Sequence, residues 1–151
     1  MQIGVISDTH NLLRPEVVDF LKQCNHIIHA GDVGSMEALK QLRAIAPLTV
    51  VRGNVDTGKW AETLPLTEAI ELGDKALYII HNLDDLDIDP EAAGFDVVIA
   101  GHSHEPEVRR KGGVTYLNPG SIGPRRFTLP ISYASIDIND SEIKVDIHTI
   151  G

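Results

Sequence analysis

The sequence predicts an α/β protein with a mixed two-sheet core and helices outside it. Three observations carry this expectation. Six short apolar runs each end in a cluster of small polar residues, the first third alternates strand with helix, and strands predominate from Thr67 onward. Short runs rich in Ile and Val between turn residues read as buried strands. Strand–helix–strand alternation gives parallel strands with right-handed crossovers.

The first run, Ile3–Ser7, leads into Asp8-Thr9-His10. A helix is expected from about Arg14, with Pro15 suited to its first turn and Val17, Val18, Leu21 and Cys24 facing inward. His26–Ala30 then runs into Gly31-Asp32. The second helix takes Ser35 as its N-cap, turns Leu39, Leu42 and Ile45 inward and stops before Pro47. Leu48–Arg52 leads into Gly53-Asn54-Val55-Asp56 and completes a βαβαβ pattern. Ala76–Ile80 ends at His81, Asp96–Ala100 at Gly101-His102-Ser103-His104, and Val114–Leu117 at Asn118-Pro119-Gly120-Ser121. One short helix is expected around Pro90–Ala93. The end reads as a hairpin: Ile131–Ile138, a turn at Asn139-Asp140, then Glu142–Ile150. There Ile143, Val145 and Ile147 alternate with charged residues and His148, which gives one buried face.

The chain of 151 residues shows no repeat, low-complexity tract or Gly/Ser linker, so residues 1–151 are expected to form one domain. No apolar stretch approaches the roughly 20 residues of a spanning helix. The first residues lack the basic and apolar regions of a signal peptide. Cys24 is the sole cysteine, which rules out an internal disulfide and agrees with a cytoplasmic location. Lys and Arg number 13 against 22 Asp and Glu, a net charge of −9. That balance argues against a membrane surface and against broad nucleic-acid binding. An anionic substrate remains compatible, because a metal site carries its own positive charge.

Ligands of open α/β sheets bind at the carboxyl ends of the strands. The six runs would therefore collect Asp8, His10, Asp32, Asn54, His81, His102 and His104 at one edge. Asp8 and His10 lie two apart, as do His102 and His104; on extended backbone each pair points one way. Gly31 lets the chain turn sharply beside a ligand, and the two oxygens of Asp32 can bridge two cations. Asn54 offers a carbonyl oxygen to a metal and an N–H to a phosphate oxygen. Oxygen and imidazole donors without thiolate suit Mn, Fe, Zn or Ni. Around this set, His29 reads as a hydrogen-bonded supporting residue rather than a ligand. Asp56 reads as a supporting carboxylate or a plain turn residue. Asn118 and Ser121 read as supporting residues near the site. Arg125 and Arg126 read as bidentate phosphate contacts or as solvated arginines. Trp60 and the Lys59–Leu64 loop either line the pocket or pack, Asp84–Asp89 is a solvated acidic loop, and His26 and His148 are surface residues.

From Ile3 to about Arg126 these motifs resemble the calcineurin-like metallophosphoesterase superfamily, and within it the small YfcE/MJ0936-like phosphodiesterase group. The resemblance implies a four-layer αββα sandwich with two mixed sheets. It implies two divalent ions per chain, manganese first, with iron, zinc or nickel as alternatives. Asp8, His10, Asp32 and His104 would hold one ion; Asp32, Asn54, His81 and His102 would hold the other, with Asp32 bridging. The implied activity is metal-dependent hydrolysis of a small phosphodiester by a two-metal-bridged hydroxide, with Asp32 and Asn54 catalytic; the residues themselves add Arg125 as a candidate substrate contact. Val55 stands where larger members carry a proton-donating histidine, a contribution typically worth about 10²–10⁴-fold. His81-Asn82-Leu83 stands where the family has His-Gly-His; asparagine is the residue next most tolerant of positive φ. Two other readings stay open: a non-catalytic scaffold similar to the retromer subunit Vps29, and a phosphomonoesterase. Val55 and the short chain count against the latter. A homo-oligomer also stays open.

Overall fold

All six apolar runs become strands. The computed structural model describes residues 1–150. Its elements are β1 (Gln2–Ile6), α1 (Pro15–Leu21), β2 (His26–His29), α2 (Met36–Ile45), β3 (Leu48–Val50), α3 (Lys59–Glu62), β4 (Thr67–Leu72), β5 (Lys75–Ile80), a 3₁₀ turn (Leu83–Asp85), β6 (Val97–Ile99), β7 (Glu107–Lys111), β8 (Val114–Asn118), β9 (Ile131–Asn139) and β10 (Glu142–Ile150). The first sheet has the order β10-β9-β1-β2-β3 and the second β4-β5-β6-β8-β7. In the first, β1, β2 and β3 are parallel, while β9 runs antiparallel to both β1 and β10. In the second, β5, β6 and β8 are parallel, flanked by antiparallel β4 and β7.

The two sheets face each other across one apolar core. Ile3, Val5, Ile28 and Ile136 come from the first sheet, and Leu77, Ile79, Ile99 and Leu117 from the second. Full burial of such a side chain stabilises by about 1.5–3 kcal/mol. Ile143, Val145 and Ile147 pack on this core from β10, as the alternation requires. The hairpin turn falls one residue later than expected. Asn139 pairs with Glu142, so Asp140 and Ser141 are the central residues, both left-handed at φ 50 and 70.

Helices α1 and α2 cover the outer face of the first sheet, where Val17, Leu21 and Leu42 meet Ile6, Ile27 and Ile122. Ser35 caps α2, its hydroxyl accepting from the Ala38 N–H at 3.2 Å, and the helix stops ahead of Pro47. Val18 is half-buried, whereas Cys24 is buried and its thiol is pushed up to about 11 by burial and by Asp137, so it is a packing residue. The outer face of the second sheet is covered differently. Leu83, Leu86, Ile88 and Phe95 from the irregular segment 83–95 pack on Tyr78, Ile80 and Val98. The helix expected around Pro90–Ala93 is a single turn that ends at left-handed Gly94. Among the described residues, no helix is long and apolar enough to cross a membrane.

Candidate metal centre

The carboxyl ends of the parallel strands in both sheets meet at one edge, and backbone bonds lace their loops together. The Asp8 N–H donates to Gly31 O at 3.0 Å and the His10 N–H to Asp32 O at 3.0 Å. Asp8 follows β1. Its Oδ2 accepts from the Ser7 hydroxyl at 2.6 Å and the His102 N–H at 3.1 Å, while Oδ1 faces His104 Nε2 at 3.4 Å and His10 Nε2 at 3.9 Å. Asp32 follows β2. Its Oδ1 accepts from the Val55 N–H at 3.0 Å, and Oδ2 faces His81 Nε2 at 3.3 Å and His10 Nε2 at 3.8 Å. Asn54 Oδ1 lies 3.0 Å from His81 Nε2 and 3.3 Å from His102 Nδ1. His81 Nδ1 donates to Ala30 O at 2.7 Å, which turns Nε2 toward the cluster. All seven residues expected at the site are thus brought together.

They converge by a different backbone from the one expected. Asp8 (φ 55), His10 (φ 45), Asp32 (φ 61), His102 (φ 71) and His104 (φ 64) are left-handed, not extended. Such conformations cost about 1–3 kcal/mol each in non-glycine residues and cluster at functional sites. Here they fold each loop back so that its polar side chains turn inward. Asn82 corrects the opposite expectation: it is extended (φ −114, ψ 117), and its side chain caps the 3₁₀ turn by accepting from the Asp84 N–H at 3.0 Å. Nothing there requires glycine.

Close approach explains two glycines. A Cβ on Gly53 would lie 2.0 Å from Asp32 Oδ1, and one on Gly101 would lie 2.0 Å from Ser7 Oγ and 2.7 Å from Asp8 Oδ2. Ser7 is a supporting residue the sequence reading missed. Its only signal was a hydroxyl at the end of an otherwise apolar run.

Two groups of donors stand within reach of a cation: Asp8, His10 and His104, and Asp8, Asp32 and His81, with donor atoms within 4.8 Å of one another in each group. Three buried atoms, Asp8 Oδ1, His10 Nε2 and His104 Nδ1, lack a hydrogen-bond partner. Buried polar atoms are rarely left so, because desolvation without a partner is costly. Asp8 Oδ1 and His10 Nε2 lie 3.9 Å apart, and hard oxygen and imidazole donors left unpaired there fit a divalent cation, whereas His104 turns Nε2 rather than its unpaired Nδ1 toward Asp8. Burial disfavours the charged form of Asp32, but the His81 hydrogen bond, the Val55 N–H and the neighbouring histidines hold its carboxyl down at about 2. Burial lowers the His81 pKa, and the Asp32 and Ala30 hydrogen bonds with the nearby carboxylates more than offset it, for a net rise.

The supporting residues are built in. Asp56 Oδ2 accepts from the N–H groups of Asp32 (3.0 Å), Val33 (3.2 Å) and Gly53 (2.9 Å), and Oδ1 from Gly34 (3.0 Å). It is no plain turn residue, since it clamps the Asp32 loop to the Asn54 loop. Asn118 Nδ2 donates to Gly101 O and Ser103 Oγ, both at 3.0 Å. Ser121 Oγ donates to Asp8 O at 3.0 Å. Arg125 and Arg126 are exposed and line, with His10, His104 and Pro124, a cleft of about 340 Å³. Trp60 packs in a core beside Val33, Leu39 and Leu64. His26 and His148 are half-buried partners of Thr49 and Ser135 rather than bare surface residues.

His29 faces away from the donors. Its Nδ1 accepts from the Gly31 N–H at 3.0 Å, its Nε2 meets Thr9 Oγ1 at 3.0 Å, and that hydroxyl donates to Val33 O at 2.7 Å. Burial lowers its pKa to about 4. An unfolded histidine takes up a proton below about 6.5. Its stabilisation is therefore complete above that pH and lost as pH falls toward 4, up to about 3 kcal/mol. In chelated protein, the thermal midpoint of His29→Gln should fall less steeply than wild type over this window. Parallel curves would contradict the assignment.

The chain belongs to the calcineurin-like phosphoesterase superfamily, whose domain matches residues 1–141. A probable metallophosphoesterase of Methanothermobacter thermautotrophicus is 34% identical over the whole chain and 94% of its own length. Among solved structures, an archaeal phosphodiesterase superposes with a TM-score of 0.82 at 23% identity, covering 98% of this chain and all of that one. Vps29 of Entamoeba histolytica complexed with zinc gives a TM-score of 0.78 at 27% identity, covering 99% of this chain and 98% of that one.

Proposed function

We propose that residues 1–151 act as one domain that hydrolyses phosphodiesters with two divalent cations, manganese first. Asp8, His10, Asp32 and His104 would hold one cation; Asp32, Asn54, His81 and His102 would hold the other. Supporting this reading are two donor groups at the meeting point of the parallel strands, Asp8–His10–His104 and Asp8–Asp32–His81, with Asp8 Oδ1 and His10 Nε2 buried and unpartnered. When bound, the pair supplies Lewis-acid charge stabilisation and activates water.

The chain's own groups do the rest. Ser7 and the His102 N–H hold Asp8 so that Oδ1 is free, and the Val55 N–H holds Asp32 so that Oδ2 turns toward His81 and His10. The Asn54 amide, exposed beside His81 and His102, can donate to a phosphoryl oxygen. Arg125 would contact the phosphate from the far side of the His10–His104 cleft.

Val55 is 45% exposed beside Asn54 and has no proton to give. Log rate should therefore fall steeply as leaving-group pKa rises, with nitrophenyl esters far ahead of alkyl esters. A flat dependence with chemistry rate-limiting would mean that another group acts as the acid.

The test of the function is hydrolysis of bis-p-nitrophenyl phosphate, which a chelator should abolish and Mn²⁺ restore. Activity persisting in metal-free protein would overturn it. A scaffold role like that of Vps29 keeps the support of the fold likeness. Since the amoebal Vps29 is itself described with zinc, hydrolysis separates the two readings and cation binding does not.

A further inference from the structure

The loop between β8 and β9 is tied to the candidate centre, and two of its arginines, Arg125 and Arg126, line the cleft beside His10 and His104, with Phe127 next in the chain. Ser121 Oγ donates to Asp8 O at 3.0 Å and accepts from the Gly123 N–H at 3.1 Å. Arg14 donates from Nε to Ile122 O at 2.8 Å and from Nη2 to Gly123 O at 3.0 Å. The Leu129 N–H closes the tip on Arg126 O at 3.1 Å. Arg125 and Arg126 are therefore carried on a braced segment. The lysine and arginine ion pairs among the described residues are Arg109–Glu107 and Lys144–Asp146, so neither loop arginine has an acidic partner. In a chain of net charge −9, two adjacent guanidiniums without acidic partners beside the His10–His104 cleft mark a local reversal of sign.

Phe127 follows Arg126 on this loop. It is 88% exposed, the most exposed of the large apolar residues, and its backbone is left-handed at φ 53. A bulky side chain at positive φ is an outlier, and nothing in the core rewards the strain. An exposed ring one residue along the chain from a guanidinium is a combination that suits nucleic-acid components: the cation draws the phosphate, and the ring can stack on the base. The cleft of about 340 Å³ between His10 and Arg126 is large enough for more than a phosphate.

We propose that Arg126 and Phe127 form a recognition subsite for phosphodiesters that carry a nucleobase, the guanidinium drawing the anion and the phenyl ring providing a stacking platform. This rests on the phosphodiesterase reading and names its substrate class.

The test compares p-nitrophenyl thymidine 5′-phosphate with p-nitrophenyl methyl phosphate, which share a leaving group and differ in the nucleoside. In parallel, calorimetry compares AMP with ribose 5-phosphate. Base stacking predicts a preference of about tenfold or more for the base-bearing member of each pair. Both ratios should collapse to about one in Phe127→Ala and survive in Phe127→Trp. A ratio near one in the wild type, or one unchanged in Phe127→Ala, overturns the subsite. If neither ester is hydrolysed, the phosphodiesterase reading fails, while the two calorimetric affinities still decide the subsite.

Discussion

Asp32→Ala is expected to cost more activity than any other single change at the centre. Asp32 is proposed to bridge the two cations, and its Oδ2 faces His10 at 3.8 Å and His81 at 3.3 Å. Removing one electrostatic contact to a transition state typically costs about 10²–10³-fold. Removing Asp32 should exceed that, because both cations lose a donor. His10→Ala and His102→Ala each touch only one proposed set and should retain more activity. The variant should also lose most of the Mn²⁺-dependent rise in thermal midpoint, a mass-action effect worth about 2.7 kcal/mol at a hundredfold excess over Kd. A variant that still binds two ions with wild-type affinity would refute the bridging role.

Asp56→Ala should be the most damaging change among residues that would never touch a cation. Its carboxylate receives four N–H groups, from Asp32, Val33, Gly34 and Gly53. The alanine variant leaves these donors facing a void, and a buried donor left unsatisfied costs about 1–3 kcal/mol, so four together cost several. In a chain of this size that lowers the thermal midpoint by roughly 10 °C or more. The Asp32 and Asn54 loops would also lose their common clamp, and losing such support typically weakens metal affinity about 10–100-fold. Calorimetric unfolding combined with a Mn²⁺ titration checks both. A midpoint within about two degrees of wild type with an unchanged metal requirement would contradict this role.

The parallel strands were legible because burial on both faces leaves a continuous apolar run, as in Ala76–Ile80 and Val97–Ile99. Strands β4 and β7 lie at the edges of the second sheet and were not distinguished. All five residues of β7, Glu-Val-Arg-Arg-Lys, are exposed, so no burial pattern marks them. Helix α3 spans only four residues, too few for a period to register. The donors themselves were legible because unlike polar residues recur at strand ends. Their geometry was not: identity does not reveal that Asp8, His10 and His102 take left-handed backbone, a conformation that tertiary bonds between neighbouring loops impose. Asp56 was ambiguous for the same reason. Its four donors come from two loops distant in sequence, and only the fold aligns them.

Phosphodiester hydrolysis by this chain is proposed to require two cations in one shared site. Titration of chelated protein with Mn²⁺, following both bound metal and hydrolysis of bis-p-nitrophenyl phosphate, tests that requirement. No activity is expected without metal, and the rate should plateau when two ions are bound per chain. Hydrolysis by the metal-free protein, or a full rate at one ion per chain, would contradict it.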